Sequence, residues 1–185
     1  MNGTLDRTFW EARYLDGTDG WDLGAPSTPL KTFIEGLTDK DLRILTPGCG
    51  RAWEGQLLHR LGFRNVWLMD LTGEPFKDVL RQCPDFPQEH LLTGDFFAHS
   101  GSYDLILEQT FFCALDPALR VAYVRKMHEL LAPGGRLVGV LFDDPQPGKD
   151  PNGPPFGGSR KEYQHLFAAT FSKVTIEPCH NSIPP

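Results

Sequence analysis

The sequence predicts an α/β protein with a doubly wound sheet, and three observations support this prediction. Short apolar runs typical of buried strands alternate with segments whose apolar residues recur at helical spacing. The first run, residues 42–45, leads into a glycine-containing turn and a helical segment, which is the first unit of a nucleotide-binding sheet. The second run, residues 65–70, ends in a carboxylate, as the second strand of such a sheet often does.

Composition limits the classes of protein to consider. The chain has 185 residues, of which 40% are hydrophobic and 23% charged, as is ordinary for one globular domain. The net charge is −6 and no basic run exceeds two residues, which argues against a nucleic-acid partner. The sequence has no apolar signal segment in its first 20 residues and no run of membrane-spanning length, so we expect a cytoplasmic protein without a membrane partner.

The four cysteines show no metal-binding or redox spacing; they are Cys49, Cys83, Cys113 and Cys179. We therefore expect reduced thiols and no bound metal. Cys49 lies in the glycine turn and could be a nucleophile. The simpler interpretation is that a small residue fits between two glycines.

The turn Thr46-Pro-Gly-Cys-Gly50 indicates the kind of ligand. Gly48 and Gly50 allow a tight turn in which the backbone approaches a bound molecule. A dinucleotide-binding turn has a third glycine, but Trp53 occupies that position, which disfavours a nicotinamide dehydrogenase. A ligand with a ribose and no phosphate fits better, and S-adenosylmethionine (SAM) is the obvious candidate. Asp70, 20 positions after Gly50, is placed to accept hydrogen bonds from ribose hydroxyls; the alternative is a plain turn with incidental glycines.

Before the first strand, the sequence predicts two helices. Thr8-Phe-Trp-Glu11 is a capping box, and Trp10 and Tyr14 would share one face of the helix that it opens. A second helix is expected from Thr28-Pro29. Together with Trp21, these aromatic residues could form the walls of a site for a cation, because a sulfonium is attracted to aromatic faces. Alternatively, they only dock this segment on the core.

The remaining elements follow in order. We predict a helix from Thr72 to about Gln82, strands over 90–95 and 103–108, a helix beginning at Asp116-Pro117, a fifth strand over 136–142, a helix from the capping box Ser159-x-x-Glu162 to about Ala169, and a sixth strand over 173–177. We treat residues 1–185 as a single domain, with 1–40 as a helical lid and 41–185 as the core.

Side chains at the ends of the third and fourth strands are further candidates for the site. Asp95 is placed to meet an adenine amino group, with Phe96 beside the ring, although a solvated turn aspartate explains Asp95 equally well. Glu108 and Gln109 emerge at the end of the fourth strand, above the same crevice.

The chain resembles the thiopurine S-methyltransferase family, and especially its thiol and halide methyltransferase branch. The matching segments run through almost the whole chain: Trp10…Tyr14…Trp21-Asp22-Leu-Gly24, Thr46-Pro-Gly-Cys-Gly50, Asp70, Gly94-Asp-Phe-Phe97, Glu108-Gln-Thr-Phe-Phe-Cys-Ala-Leu-Asp-Pro117, Leu131-x-Pro-Gly-Gly135 and Gly153-Pro-Pro-Phe156. The resemblance implies a Rossmann-like class I SAM-dependent methyltransferase with an N-terminal helical lid. It also implies that SAM contacts Trp10, Tyr14, Trp21, Gly48, Asp70, Asp95, Phe96 and Gln109.

This sequence departs from the family pattern at two of these positions. Tyr14 stands where the plant enzymes often carry tryptophan, and Gln109 replaces the tyrosine or arginine of some relatives. The wall of the substrate pocket and the contact made at position 109 can therefore differ from theirs.

We expect a SAM-dependent S-methyltransferase whose acceptors are small soft nucleophiles, thiols first and halides or thiopurines second. Glu108 would take the thiol proton, or instead only order its loop. Phe111, Phe112 and Phe156 could form a dry wall, or belong to the core. Two rivals are a catalytically inactive SAM-binding protein and a small-molecule O- or N-methyltransferase. The second is weakened because Glu108-Gln-Thr-Phe stands where a motif such as Asn-Pro-Pro-Tyr would be expected. The sequence predicts neither the physiological acceptor nor the oligomeric state.

The end of the sequence gives one more expectation. In this fold the sixth strand normally pairs with a seventh, antiparallel strand inserted beside the fifth. The sequence stops at Ile183-Pro-Pro185, before a seventh strand could form. We expect that a C-terminal segment is missing and that residues 173–177 lack their usual partner, which leaves an exposed sheet edge.

Overall fold

The computed structural model describes residues 5–143 and 153–182, and a five-stranded sheet lies at its centre. The strands are β1 (Ile44–Pro47), β2 (Val66–Asp70), β3 (Leu91–Thr93), β4 (Tyr103–Gln109) and β5 (Leu131–Val140). Their spatial order is β3-β2-β1-β4-β5, and every neighbouring pair is parallel. Because parallel strands all point one way, their carboxyl ends meet at one edge of the sheet.

Six α-helices accompany the sheet in the described residues: α1 (Arg7–Leu15), α2 (Thr28–Glu35), α3 (Trp53–Arg60), α4 (Phe76–Gln82), α5 (Arg120–Leu130) and α6 (Arg160–Ala168). Helices α2, α3 and α4 share one buried apolar cluster, and α5 and α6 share another. Successive strand side chains face opposite sides, so Ile44 belongs to the first cluster and Leu45 to the second. Both faces of the sheet are therefore covered, and the predicted doubly wound α/β fold is confirmed.

Two of the expected helix starts differ from the structure. Helix α1 is capped by Asp6, whose carboxylate accepts a hydrogen bond from the Phe9 backbone N–H at 3.0 Å, and not by Thr8. Helix α4 begins at Phe76, because Thr72 instead accepts the backbone N–H of Glu74 in a turn before the helix. In both cases a side-chain oxygen accepts a hydrogen bond from a backbone N–H, but at a position other than the predicted helix start.

Other boundaries are closer to expectation. Ser159 caps α6 by accepting the Glu162 backbone N–H at 3.3 Å, so this capping prediction is confirmed. Residues 117–119 form a 3₁₀ turn that leads into α5, and Asp116 caps it as expected. Strand β5 begins at Leu131, five residues earlier than the predicted Arg136, and it carries an irregularity in its register with β4.

The predicted sixth strand over residues 173–177 is wrong, since this stretch has no regular structure. Val174 and Ile176 pack against the cluster that α5 and α6 share, and the Val174 carbonyl accepts a hydrogen bond from Gln164 Nε2 at 3.4 Å. The alternation of apolar residues here reflects burial of alternate side chains without pairing to a neighbouring strand. The final residues 183–185 lie outside the described residues.

Within the described ranges, none of the helices has both the length and the apolar character needed to cross a bilayer.

Candidate functional site

A cavity of about 1810 Å³ opens at the carboxyl ends of the strands. The cavity is lined by the turn after β1, the ends of β2 and β4, the turn after β3 and the N-terminal segment, by which we mean residues 5–24. Residues 138–143, 154–156 and 175–179 also line it. Typical small-molecule pockets measure about 300–1000 Å³, so this cavity has room for two small molecules side by side.

All eight residues predicted to bind the cofactor line this one cavity: Trp10, Tyr14, Trp21, Gly48, Asp70, Asp95, Phe96 and Gln109. The fold collects them from four strand ends and from the N-terminal segment. Their direct contact with a cofactor remains a prediction.

The turn after β1 is built from left-handed backbone conformations. Gly48, Gly50 and Ala52 have φ values of +56°, +51° and +53°. A Cβ atom at Gly48 would also lie 2.2 Å from the Phe111 ring. Glycine is therefore required at 48 for both the backbone conformation and the space. Ala52 adopts a conformation that favours glycine, which is a local strain at the start of α3.

Asp70, the last residue of β2, is 7% exposed and holds the glycine turn in place. Its carboxylate accepts the backbone N–H of Gly50 at 3.0 Å and that of Thr72 at 3.2 Å. Burial raises the pKa of this carboxyl, and these two hydrogen bonds act in the opposite direction. The Leu71 backbone and the Tyr14 hydroxyl also stabilise this carboxylate, so ligand hydroxyl groups in the cavity would compete with them for its acceptor positions.

The aromatic side chains of the N-terminal segment lie on this turn. Trp21 packs edge to face with Trp10 at 5.4 Å and with Tyr14 at 5.8 Å between ring centroids. A Cβ atom at Gly50 would lie 3.5 Å from the Tyr14 hydroxyl oxygen and 3.7 Å from Trp21 Nε1. Burial raises the pKa of the Tyr14 hydroxyl, so it stays protonated. The rings both dock the segment and present aromatic surface to the cavity.

Asp95 and Phe96 follow β3. Asp95 is exposed, and its Oδ1 accepts the Phe97 backbone N–H at 2.9 Å, which caps the 3₁₀ turn over residues 96–98. Phe96 is 5% exposed and packs against the rings of Phe111 and Tyr123. Both line the cavity, but each also has a structural role that needs no ligand.

Gln109 belongs to a polar network that the sequence did not predict. Its Oε1 accepts the Ser27 hydroxyl at 3.0 Å, and the Ser27 backbone N–H donates to Glu54 Oε1 at 2.8 Å. Burial raises the pKa of Glu54, which is 6% exposed. For Ser27, the available sequence signal was its place directly before the predicted helix start at Thr28-Pro29. No feature of the sequence indicated that Glu54 belongs to the network. The network fixes the amide group of Gln109 at the cavity wall.

Glu108 does not line the cavity, in contrast to the position expected for a base. It is 2% exposed, and its Oε1 accepts the backbone N–H groups of Phe111 at 2.9 Å and Phe112 at 2.8 Å, while Oε2 accepts the Tyr123 hydroxyl. Burial raises the pKa of this carboxyl to about 7. These contacts favour the second interpretation made from the sequence, in which Glu108 orders its loop.

The turn that Glu108 orders is strained at Thr110. This residue has φ of +60°, a conformation uncommon for a side chain branched at Cβ. The two backbone donors that follow the strained residue are the ones that Glu108 accepts. Thr110 and Phe111 line the cavity, whereas Phe112 is 1% exposed in the core and is not part of the wall.

Arg120 holds the segment around Phe156 in place. Its guanidinium, on a residue that is 6% exposed, donates to Glu162 at 2.6 Å and to the Gly157 carbonyl at 2.7 Å. The Phe156 backbone N–H donates to the Cys113 carbonyl at 2.6 Å. These contacts fix the segment whose Phe156 ring lines the cavity.

Arg51 and Trp53, from the turn after β1, bind the N-terminal segment. Arg51 contacts Asp19 Oδ2 at 2.7 Å, Asp22 Oδ2 at 3.1 Å and the carboxylate of Asp78 on α4. The Trp53 indole N–H donates to Asp22 Oδ1 at 2.6 Å. The sequence shows the charged residues but not which of them pair, so this cluster was not predicted.

Comparison with solved structures supports the fold. The chain is similar to 1,6-didemethyltoxoflavin-N1-methyltransferase from Burkholderia thailandensis, crystallised with S-adenosylhomocysteine (SAH), with a TM-score of 0.70 and 21% identity over 89% of this chain and 75% of that chain. It is also similar to a TehB-like SAM-dependent methyltransferase from Corynebacterium glutamicum, with a TM-score of 0.63 and 17% identity over 86% and 83% of the two chains. The chain therefore has the fold of class I SAM-dependent methyltransferases.

The family follows from the sequence comparisons. The model of the thiopurine S-methyltransferase family matches residues 5–181, and the chain belongs to that family. It is 30% identical over 174 residues to probable thiol methyltransferase 2 from Arabidopsis thaliana, covering 90% of this chain and 75% of the relative. It is 30% identical over 179 residues to thiopurine S-methyltransferase from Vibrio vulnificus (strain YJ016), covering 88% and 82%. The resemblance inferred from the motifs is thereby confirmed, and SAM is the cofactor.

Proposed function

We propose that the protein transfers the methyl group of SAM to the sulfur of a small thiol, with halides and thiopurines as secondary acceptors. The observation that carries this proposal is a single cavity with two kinds of lining. Asp70 and the glycine turn line it, and Phe111 and Phe156 supply apolar surface for an acceptor. Relatives named thiol, thiopurine and thiocyanate methyltransferases support this acceptor class.

The chain's own residues fit the cofactor. Asp70 would accept the ribose hydroxyls, the backbone at Gly48 would lie close to the ligand, and the aromatic side chains of the N-terminal segment would cover a positively charged sulfur. Asp95, Phe96 and Gln109 would complete the contacts. When bound, SAM supplies a methyl group on a sulfonium. The N-terminal segment, with the rest of residues 1–40, would act as a lid over a core of residues 41–185.

The charges of the two reactants and the placement of the acceptor would together promote methyl transfer. An anionic acceptor and a cationic donor lose their charges as the methyl group moves, so a wall that excludes water favours the transfer. Fixing the acceptor in line with the methyl group supplies much of the remaining rate. We assign Glu108 a positioning role: its carboxylate holds the turn that carries Thr110 and Phe111. The acceptor thiol would then react as the thiolate present in solution.

We also propose a cytoplasmic location. Cys49, Cys83, Cys113 and Cys179 form no disulfide with one another in the structure, as is usual for cysteines in a reducing compartment.

The test offers the protein SAM together with small thiols, iodide or a thiopurine and quantifies SAH for each acceptor. We expect SAH to form fastest with a thiol. SAM binding without SAH from any acceptor would indicate a binding protein, and turnover of only hydroxyl or amine acceptors would indicate the O- or N-methyltransferase alternative.

A further inference from the structure

Arg51 is surrounded by three carboxylates from separate parts of the chain. Asp19 Oδ2 accepts hydrogen bonds from Arg51 Nη2 at 2.7 Å and from Arg51 Nε at 2.8 Å. Asp22 Oδ2 lies 3.1 Å from Arg51 Nε, and the Asp78 carboxylate contacts Arg51 Nη1. The side chains of Arg51, Asp19, Asp22 and Asp78 are 25%, 11%, 22% and 16% exposed. These ion pairs are therefore largely removed from solvent. Salt screens such partly buried pairs less than it screens pairs on an open surface.

Trp53 reinforces the same connection. Its indole N–H donates to Asp22 Oδ1, which also accepts the Gly24 backbone N–H at 3.1 Å. In a dinucleotide-binding turn, a glycine at the position of Trp53 lets the helix pack closely on the strand. Here the position carries a large side chain that contacts the N-terminal segment. Two side chains of the cofactor turn thus bind one aspartate of that segment.

The charges make Arg51 the critical member of this cluster. Without its guanidinium, Asp19 and Asp22 would remain as two poorly solvated negative charges near Asp78, which carries a third. Unpaired buried charges are strongly unfavourable, so the aspartates would be expected to move toward water. Trp21 lies between them in the chain and packs against Tyr14, so its ring would move with them.

We propose that Arg51 is a positioning residue for the cofactor: through Asp19 and Asp22 it holds Trp21 and Tyr14 against the turn where SAM binds. The inference rests on the proposed placement of SAM against these rings. Arg51 itself need not touch the cofactor, because its effect is transmitted by the segment that it anchors.

The test measures SAH binding to the full chain by calorimetry at low salt and in about 1 M NaCl, where the Debye length falls to about 3 Å. We expect Arg51→Gln to weaken SAH binding roughly tenfold at low salt, within the range usual for coupled sites. Because partly buried ion pairs are screened little, the wild type should keep most of its affinity as salt rises, and the variant should stay weaker at both salt concentrations. The KM for SAM should rise by a larger factor than kcat falls.

Arg81→Gln is the matched control. Arg81 also pairs with Asp78, at 2.7 Å, but its side chain is 73% exposed and it has no ion pair with the N-terminal segment. It should leave SAH affinity and its salt dependence unchanged. An Arg51→Gln variant that is folded by circular dichroism and binds SAH like the wild type at both salt concentrations would overturn the inference, as would an equal loss in Arg81→Gln.

If Arg51→Gln does not fold, Asp19→Asn replaces it, because this change removes the carboxylate with two contacts to Arg51. A loss of SAH affinity that exceeds the loss in Arg81→Gln supports the inference, and unchanged affinity overturns it. Failure of the acceptor proposal is distinguishable: the wild type would then bind SAH, with the predicted response to Arg51→Gln, yet methylate no thiol.

Discussion

The two strands that flank β1 both carry a buried carboxylate near their carboxyl ends, and the structure uses them differently. Asp70 is the last residue of β2 and lines the cavity. Glu108 is the next-to-last residue of β4, and Gln109 lines the cavity instead. Since successive strand side chains face opposite sides, one position along the strand separates a ligand-facing group from one that faces the protein interior.

The partners of the two carboxylates follow from this difference. Asp70 accepts hydrogen bonds from two backbone N–H groups of the loops beside the cavity and itself lines the cavity. Glu108 reaches the backbone of the strained turn and the Tyr123 hydroxyl on α5. A carboxylate at a strand end is therefore not by itself evidence for catalysis; its donors decide its role.

The largest effect should appear in the pH dependence of stability. The folded-state pKa of Glu108 is raised to about 7, above its ordinary value of 4.5, so its contribution is fully present below pH 4.5 and is lost as pH rises to 7. We compare the free energy of unfolding of the wild type with that of Glu108→Gln. The difference, wild type minus variant, should fall by about 3 kcal/mol between pH 4.5 and pH 7. Urea unfolding of both proteins at several pH values measures this difference. A constant difference would show that Glu108 ionises normally.

Removing the other carboxylate should affect the cofactor directly. Asp70→Ala should lose roughly 1.5–3 kcal/mol of SAM affinity through the missing ribose contacts. This corresponds to about tenfold to a hundredfold in Kd, measured by calorimetry. Unchanged affinity would remove Asp70 from the binding site and with it the contrast between the two strands.

Activity measurements test whether Glu108 positions or abstracts a proton. Iodide has no proton to lose, so a base would be needed only for a thiol, where its loss costs about 10²–10⁴-fold. We expect Glu108→Gln to slow both acceptors by a similar factor, below that range. An aromatic thiol that is already ionised at pH 7 replaces iodide if iodide is not turned over. A loss confined to the un-ionised thiol, and partly recovered at higher pH, would restore the base role.

The smallest effect is expected at the end of β3. Asp95 is exposed and already accepts the Phe97 backbone N–H, so Asp95→Ala should cost about 1 kcal/mol of stability through the lost cap. One exposed contact to an adenine amino group should add no more than about a fivefold loss of SAM affinity. Thermal unfolding and SAM titration check the two effects separately. A loss as large as that of Asp70→Ala would place Asp95 at the centre of the site.

Local patterns predicted the parts of the fold that depend on neighbouring residues. Three features were predicted from a few adjacent positions or from a standard spacing: the glycine turn, Asp70 and the Ser159 cap. All three lie where expected. The sequence pattern failed where the outcome depends on distant partners. The alternation over residues 173–177 indicated burial correctly, but a strand also needs a neighbour for its backbone hydrogen bonds.

The two interpretations of Glu108 could not be separated from the sequence for the same reason. Its role depends on the Tyr123 hydroxyl and on the left-handed conformation of Thr110, neither of which the spacing reveals. The Arg51 cluster joins carboxylates that lie far apart in the chain, so a count of charges could not pair them.

The contact between Glu108 and Gly139 restricts how these two strands can change during evolution. The residues are register partners in β4 and β5, and a Cβ atom at Gly139 would lie 2.4 Å from the Glu108 Cβ atom. A Cβ atom at Gly139 would also lie 2.8 Å from the Glu108 backbone oxygen, so a smaller side chain at 108 would not make room for one at 139 while the backbones stay where they are. Position 139 should therefore remain glycine wherever β4 and β5 keep this pairing, whatever residue stands at 108.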